Sequence, residues 1–319
     1  MFLGIEHSSR DIGFAMLDRG KVKRIKLLNR AQLARTKENV LDLLKLDKDD
    51  IDLVGLTYSA ADGINAITDI RKIDNLGQRN SDHYGFGKPV GGGTKVYNDI
   101  KSSGVEAVLI PGIHDGLACL DPYFRHYSNL CTSDKTALTY YAVDYFGKSM
   151  PNIKNFITCS IGNTIMATLI RDNALRGGSL WLGGSYGLVD LRVLRLIAAK
   201  KLQLGDAFIY NSLSHRLGTD QEKASHSVKF LDMITKSALQ TTFSLAPFAG
   251  RLDAVFLAGR YSKIETPVNV VQTIKDRVEK MLGVPVVVGG ENPGAIGSAL
   301  IAEKVFRGAK EVMGIPVER

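Results

Sequence analysis

Two stretches of the chain carry the same pattern, and that repetition restricts the fold more than any other feature. Residues 2–6, 12–17 and 22–28 read as three short strands, the last two joined at Asp18-Arg19-Gly20, where glycine permits the positive φ of a tight hairpin. Residues 156–160 and 164–170 repeat the arrangement, with turns at Ile161-Gly162-Asn163 and Arg171-Asp172-Asn173 and a third strand beyond. Glu6 stands twelve residues before Asp18, and Ser160 stands twelve before Asp172. Two copies of a strand-turn-strand-turn-strand unit imply a duplicated domain. With 319 residues there is room for two, and we expect an N-terminal domain over 1–148 and a C-terminal domain over 149–319.

Helices and strands alternate after each opening meander, so the class is α/β. Apolar spacing predicts helices over 31–46, 133–146 (capped by Ser133), 189–201, 221–245, 269–281 and 295–306, and one that Thr94 caps and that runs to about 103. Strands are expected over 51–57, 105–110, 254–257 and 284–288. Hydrophobic residues make up 45% and charged residues 23%, which excludes a disordered chain. No apolar run approaches the ~20 residues that cross a bilayer, and the first ten residues lack a signal peptide's apolar stretch, so a cytoplasmic location and no membrane partner are expected. Cys119, Cys131 and Cys159 include no CxxC pair, which argues for buried thiols over a disulfide framework or a zinc site. The net charge of +8 allows an anionic ligand. Because the basic residues are dispersed, with no RNA-binding aromatic motif, zinc finger or basic tail, nucleic acid is not the expected partner.

Glycines punctuate the turns where chemistry would be placed. Small residues in a hairpin turn let backbone N–H groups converge on phosphate oxygens. Ser8, Ser9 and Arg10 in one turn and Gly162, Asn163 and Thr164 in the other are such candidates, and Arg10 adds a charged fork. Gly259 ends a strand and Gly294 opens a helix, and both suit a close approach to an adenosine or a phosphate. Glu291 and Asn292 are candidates for base or ribose contacts. PGIHDG at 111–116 follows a buried-type strand, at the end where open α/β sheets place ligands, so His114 and Asp115 are candidates for acid–base work or acceptor binding. GFGKPVGGGTK at 85–95 fails the phosphate-loop pattern but could bind an anion or close as a lid with Arg79, Lys88 and Lys95. His126 lacks metal-ligand spacing. Trp181 reads as core, and Arg192 and Arg195 as a solvated or interdomain face.

GIEHSSRDIGFAML (4–17), SIGNT (160–164), VFLAGR (255–260) and ENPGAIGSALIA (291–302) resemble, in order, the phosphate 1, phosphate 2, adenosine and second connecting motifs of the acetate and sugar kinase, Hsp70 and actin superfamily. GGSYGLVDLRVLR (183–195) is similar to a segment of its butyrate-kinase-like branch. Over nearly its full length the chain resembles the archaeal methanogenesis marker protein 12 family. The resemblance implies duplicated ribonuclease-H-like, actin-like domains closing on ATP or ADP with Mg²⁺, and a link to methanogenesis. It adds Gly4, Ser160, Arg260 and Gly290 to the nucleotide-binding candidates. Glu6 occupies the place of the superfamily's metal-organising aspartate, as catalytic and metal-holding residue. Ser160 stands where the second half would carry its acid, which weakens the case for hydrolysis, and Asp115 and Asp134 are potential substitutes. A histidine near His114 contacts the transferred phosphoryl group in kinase-like members. The implied activity is a phosphotransferase on a small anionic acceptor, or an ATPase acting on a maturation partner, with a homodimer allowed. The alternative is a nucleotide-sensing or scaffold protein without turnover, and a third reading is an RNA-modifying or carbamoyl-transfer enzyme, which would want a paired-histidine metal motif that the chain lacks.

Overall fold

A computed structural model describes residues 1–8, 11–58, 63–73, 92–127, 130–179, 182–183, 190–203, 206–207, 210–218, 223 and 226–319. The opening meander is β1 (Phe2–His7), β2 (Asp11–Asp18) and β3 (Lys21–Asn29), antiparallel throughout, with Phe2 opposite Leu17 and Asp18 opposite Lys21. The turn before β3 puts Arg19 and Gly20 at φ 49° and 72°. Two successive positive φ angles match the twist of a two-residue hairpin. The helix expected over 31–46 is instead two short ones, α1 (Arg30–Arg35) and α2 (Val40–Leu44). Thr36 and Asn39 break it, because their side chains accept the N–H groups of Glu38 and Leu41. Then come β4 (Leu53–Thr57), the short β5 (Ile67–Asp69), α3 (Gly92–Ser103), β6 (Ala107–Ile110) and α4 (Ser133–Ser149). α3 starts at Gly92, and the Thr94 hydroxyl is shared with Tyr58 rather than capping. The cap position of α4 falls on Thr132 rather than Ser133.

The second meander is β7 (Phe156–Ile161), β8 (Thr164–Arg171) and β9 (Ala174–Gly178), again antiparallel, and its second turn puts Asp172 and Asn173 at φ 52° and 59°. It is followed by β10 (Leu182–Gly183), α5 (Leu191–Ala198), α6 (Leu213–Arg216), α7 (Val228–Leu245), β11 (Ala254–Ala258), α8 (Val270–Leu282), β12 (Val286–Val288) and α9 (Pro293–Phe306). A hairpin of β13 (Glu311–Val312) and β14 (Ile315–Glu318) ends the chain.

The first sheet runs β13-β14-β5-β6-β4-β1-β2-β3, and the second runs β10-β8-β7-β11-β12 with β9 also on β8. Within them, β3-β2-β1-β4-β6 and β9-β8-β7-β11-β12 have the same order and the same sense, a meander followed by two parallel strands. The duplication expected from the repeat is therefore present in the topology. β7 and β11 are buried along their whole length, as strands covered on both faces must be.

The expected division at 148/149 falls at the end of α4, and residues 293–319 return to the first sheet. There α9 lies across β1 and β4. A Cβ on Gly4 would stand 2.0 Å from the Ala295 carbonyl oxygen, and one on Gly55 would stand 2.1 Å from that of Ser298. β14 pairs with β5, setting Val317 beside Ile67. One core lies under α1 to α3, with Leu3, Ile5, Phe14 and Tyr97. The larger core runs from the other face of the first sheet, through α4 and α9, into the second. α4 and α9 touch closely, because a Cβ on Gly297 would stand 1.9 Å from the Ala137 carbonyl oxygen. Among the described residues no helix is long and apolar enough to cross a membrane.

Candidate active site

The carboxyl ends of β1, β4 and β6 meet the N-termini of α3, α4 and α9. Ser133 donates to the Tyr58 carbonyl just past β4, and Thr136 donates to that of Pro111 just past β6, which fixes the start of α4 at this edge. Glu6, half-buried near the end of β1, accepts the Ala295 N–H of the first turn of α9 at 3.1 Å. A Cβ on Gly294 would stand 2.4 Å from the Glu6 carboxyl carbon, so glycine leaves the room that the carboxylate fills. Burial pushes the Glu6 pKa up to about 7, with the Asp134 charge adding to it and Lys135 and the Ala295 N–H opposing it.

Asp134 and Lys135 open α4 as an ion pair at 2.5 Å, both side chains nearly buried, and the Thr132 hydroxyl donates to Asp134. Burial works against the Lys135 charge, but the Asp134 carboxylate outweighs it, with Glu6 contributing, and the pKa rises. The ammonium is therefore held charged beside Glu6.

His7 follows Glu6. Its backbone N–H donates to the Thr57 hydroxyl, its Nε2 meets the Gly93 carbonyl at 3.2 Å, and its ring stands edge-on to Tyr58. A carbonyl can only accept, so Nε2 carries the proton, and Nδ1 is buried without a hydrogen-bond partner. Burial and then the Arg30 charge push the His7 pKa down to about 3, so the ring is neutral at neutral pH. Arg30 reaches over to the Ser8 carbonyl at 2.9 Å.

At the matching edge of the second sheet, Ser160 is buried and Gly162 donates to the Thr164 carbonyl to close the turn. A Cβ on Gly162 would make only an ordinary contact, 3.6 Å from the Thr164 carbonyl oxygen. Gly259, at φ 109°, lies against the Ile161 backbone, where a Cβ would come within 2.7 Å. That contact seats the end of β11 beside the turn at 161–164. Gly290 lies near the Tyr141 hydroxyl, Asn292 adopts a left-handed conformation at φ 47°, and Glu291 pairs with Lys263 at 2.9 Å on the surface. Arg260 is exposed and lies over the Tyr261 ring.

The two edges are joined where residues 289–292, leaving β12, lead into α9 and deliver Gly294 and Ala295 to Glu6. α4 joins them a second time, since Thr139 shares hydrogen bonds with Thr158 of β7 and Thr168 of β8. Among the described residues, six α-helices carry a side-chain cap, from Asn29, Asn39, Asp190, Ser212, Ser227 and Asn269. α4 and α9 have none. In α9 the Ala295 N–H is taken instead by Glu6 of β1, and in α4 the Lys135 N–H bonds the Thr132 carbonyl.

Not every candidate gathers there. Gly4 is taken up by the packing of α9. His114 is buried, with Nε2 on the Ile64 carbonyl at 2.9 Å and Nδ1 accepting from Gly116, so both ring nitrogens serve the loop. Asp115 is exposed beside it. Ser9, Arg10, Arg79, Lys88 and Trp181 lie outside the described residues, as does the 85–95 segment up to residue 91. Lys95 pairs with Asp99, and Arg192 and Arg195 are exposed on α5. The three cysteines are free and buried, and burial raises every thiol pKa. His7, Arg30 and Lys135 are the cleft residues that sequence reading passed over. Only Lys135, directly after Asp134 at a helix start, left a readable signal.

No protein-family model matches the chain. Curated relatives cover almost all of it. A UPF0285 protein of Methanococcus maripaludis is 34% identical over 337 residues, covering 99% of both chains. One of Methanocaldococcus jannaschii is 34% identical over 339 residues, covering 99% of this chain and 98% of its own, and one of Methanosarcina mazei is 26% identical over 99% of both. Among solved structures, an acetate kinase from Entamoeba histolytica superposes with a TM-score of 0.58 at 13% identity, over 95% of this chain and 98% of its own. A ROK family glucokinase from Streptomyces griseus, in complex with glucose and AMPPNP, gives 0.52 at 15% identity, over 95% and 99%. The fold is the duplicated ribonuclease-H-like one of acetate and sugar kinases.

Proposed function

Since the chain belongs to the UPF0285 family, we propose that it is a family member that binds ATP in this cleft and works as a phosphotransferase on a small anionic acceptor, or as an ATPase serving a protein of the methanogenesis machinery. The reading rests above all on α4 and α9, two helix N-termini without a side-chain cap from their own cap residue, the second of which has its Ala295 N–H on Glu6. Free N–H groups at such ends, with the helix dipole behind them, attract phosphate. Lys135 adds a fixed positive charge. The Gly162–Thr164 turn, against which Gly259 packs, is the phosphate candidate on the second sheet, and Gly290, Glu291 and Asn292 are the candidates for nucleoside contacts.

Mg²⁺ takes one or two carboxylates and fills its remaining positions with water and phosphate oxygens. Glu6 fits that role, because Oε2 accepts from Ala295 and, among the described residues, Oε1 takes no hydrogen bond. Asp134 does not, since Lys135 and Thr132 occupy it. No group of three or more His, Cys, Asp or Glu gathers for a metal among the described residues, so phosphate oxygens would complete the shell. Bound with the nucleotide, Mg²⁺ supplies charge neutralisation between the phosphates. Glu6 orients, the helix ends bind, and the neutral His7 ring fills the wall beside them without competing for anions.

Ser160 in place of a second acid supports one other reading, a nucleotide sensor of the same fold that does not turn over. Phosphate release from ATP with Mg²⁺, measured beside calorimetric binding, separates the two. Binding with turnover that Glu6→Gln abolishes supports the enzyme; binding without turnover supports the sensor; equal loss of binding and turnover in Glu6→Gln sinks its catalytic role.

A further inference from the structure

Between β6 and α4 the chain makes a long excursion, of which residues 111–127 and 130–131 are described. It is anchored at the end of the first sheet by an antiparallel bridge, in which Ile113 donates to the Cys131 carbonyl at 2.7 Å and Leu130 donates to that of Ile113 at 2.8 Å. Arg125 stiffens it by donating to the Leu120 and Ala118 carbonyls. From that anchor it reaches β9 of the second sheet. The Asp121 N–H donates to the Arg176 carbonyl at 2.9 Å, and the Arg176 guanidinium donates back to the Cys119 carbonyl at 3.1 Å. Arg171 donates to the Asp121 carboxylate at 2.9 Å and to the Phe248 carbonyl at 3.2 Å. Phe124 packs on Gly177, where a Cβ would stand 2.3 Å from its ring, and Tyr123 stacks on Phe248, past α7, with ring centroids 4.7 Å apart.

The far end of the chain joins the same seam. β14 lies on β5 of the first sheet, and the turn of its hairpin, with Met313 and Gly314 at φ 55° and 80°, presents the Met313 carbonyl to the Leu175 N–H of β9 at 3.0 Å. Gly314 also meets the excursion, since a Cβ there would stand 3.0 Å from that of Cys119. Phe124, Cys131, Leu175, Val312 and Ile315 are each 2% exposed or less, so the seam is closed to solvent. Parting it would expose that apolar surface and break the crossing hydrogen bonds together.

α4 and α9 connect the two sheets at the cleft, and this seam connects them a third time through segments that carry none of the cleft residues. We propose that the seam is a permanent clamp, which holds the two sheets together whether the cleft is empty or occupied, so that any opening of the cleft pivots at the seam instead of parting it. The clamp does not depend on which ligand the cleft takes.

Hydrogen exchange of the full chain, read at single amides and corrected for intrinsic rates, tests it. The Val54 N–H, on the Glu106 carbonyl of the first half, and the Val255 N–H, on the Pro285 carbonyl of the second, serve as references. Asp121 and Leu175 should exchange within about tenfold of them, because only the openings that release the sheets release the clamp. Adding ATP with Mg²⁺ should leave that ratio unchanged. Gly178→Cys supplies a second reading, since its Cβ would stand 3.2 Å from the Cys131 Sγ, close to the separation of those two atoms in a disulfide. Oxidised with diamide, the variant should lose two thiols and bind ATP as its reduced form does. The clamp is refuted if Asp121 and Leu175 exchange about a hundredfold faster than the references, or if closing the disulfide changes ATP affinity about tenfold. Slow exchange at both amides in a chain that binds no ATP would uphold the clamp and sink only the nucleotide reading of the cleft.

Discussion

Glu6 and His7 are consecutive residues that titrate in opposite directions, and their sum gives the protein an unusual pH profile. Folding raises Glu6 from 4.5 to about 7 and lowers His7 from 6.5 to about 3. Between pH 4.5 and 6.5 the folded state holds a proton on Glu6 that the unfolded chain has lost. In the same window the unfolded chain holds one on His7 that the folded state excludes. The Glu6 contribution to stability is complete below 4.5 and is lost as pH rises to about 7; the His7 contribution is complete above 6.5 and is lost as pH falls to about 3. Each slope is about 1.36 kcal/mol per pH unit, of opposite sign. Stability of the unmodified chain should therefore be flat from pH 4.5 to 6.5. Glu6→Gln leaves only the histidine, and stability should rise by about 2.5 kcal/mol across that window. His7→Asn leaves only the carboxyl, and it should fall by a similar amount. Asp69 and Asp253, whose pKa values folding lowers, titrate beneath the window and do not blur it. Urea unfolding at half-unit pH intervals reads all three profiles. Parallel profiles in the three proteins would refute the burial argument for both residues.

Gly4→Ala forces a methyl group into the α9 backbone, which cannot withdraw without leaving β1, so it should destabilise by about 3 kcal/mol, at the high end for overpacking. A loss under 1 kcal/mol in urea melts would mean that the helix moves freely. Lys135→Met leaves Asp134 nearly buried without its cation and should cost about 3 kcal/mol; Lys135→Met combined with Asp134→Leu should restore most of it. Failure of the double variant to recover stability in the same melts would show that the pair is held by more than its own charges.

The duplication was readable because the meanders depend on local chemistry. Asp18-Arg19-Gly20 and Arg171-Asp172-Asn173 are turn sequences, and the β-branched and apolar runs beside them read as strands, although β3 proves largely exposed. Glu6 was singled out by the family resemblance, which places an acid at the end of the first strand, and not by local chemistry. What stayed hidden depends on contacts distant in sequence. β5 has three residues, and β14 pairs with it from the far end of the chain, with β13 on β14, so no window contains the signal. Gly4 looked like a ligand glycine, and only the path of α9 explains its missing side chain. His114 looked like an acid–base residue until the Ile64 carbonyl occupied its free nitrogen. His7 and Arg30 face the cleft through α3, whose position follows no local rule.

The central claim is that phosphate binds where α4 and α9 converge on Glu6. Calorimetric titration of ATP with Mg²⁺ into the unmodified chain tests it most directly. We predict saturable binding, with a rise in melting temperature of several degrees, since ligand at a hundred times its Kd adds about 2.7 kcal/mol. No heat and no shift at saturating nucleotide would contradict the account and mean that these helix ends serve another ligand.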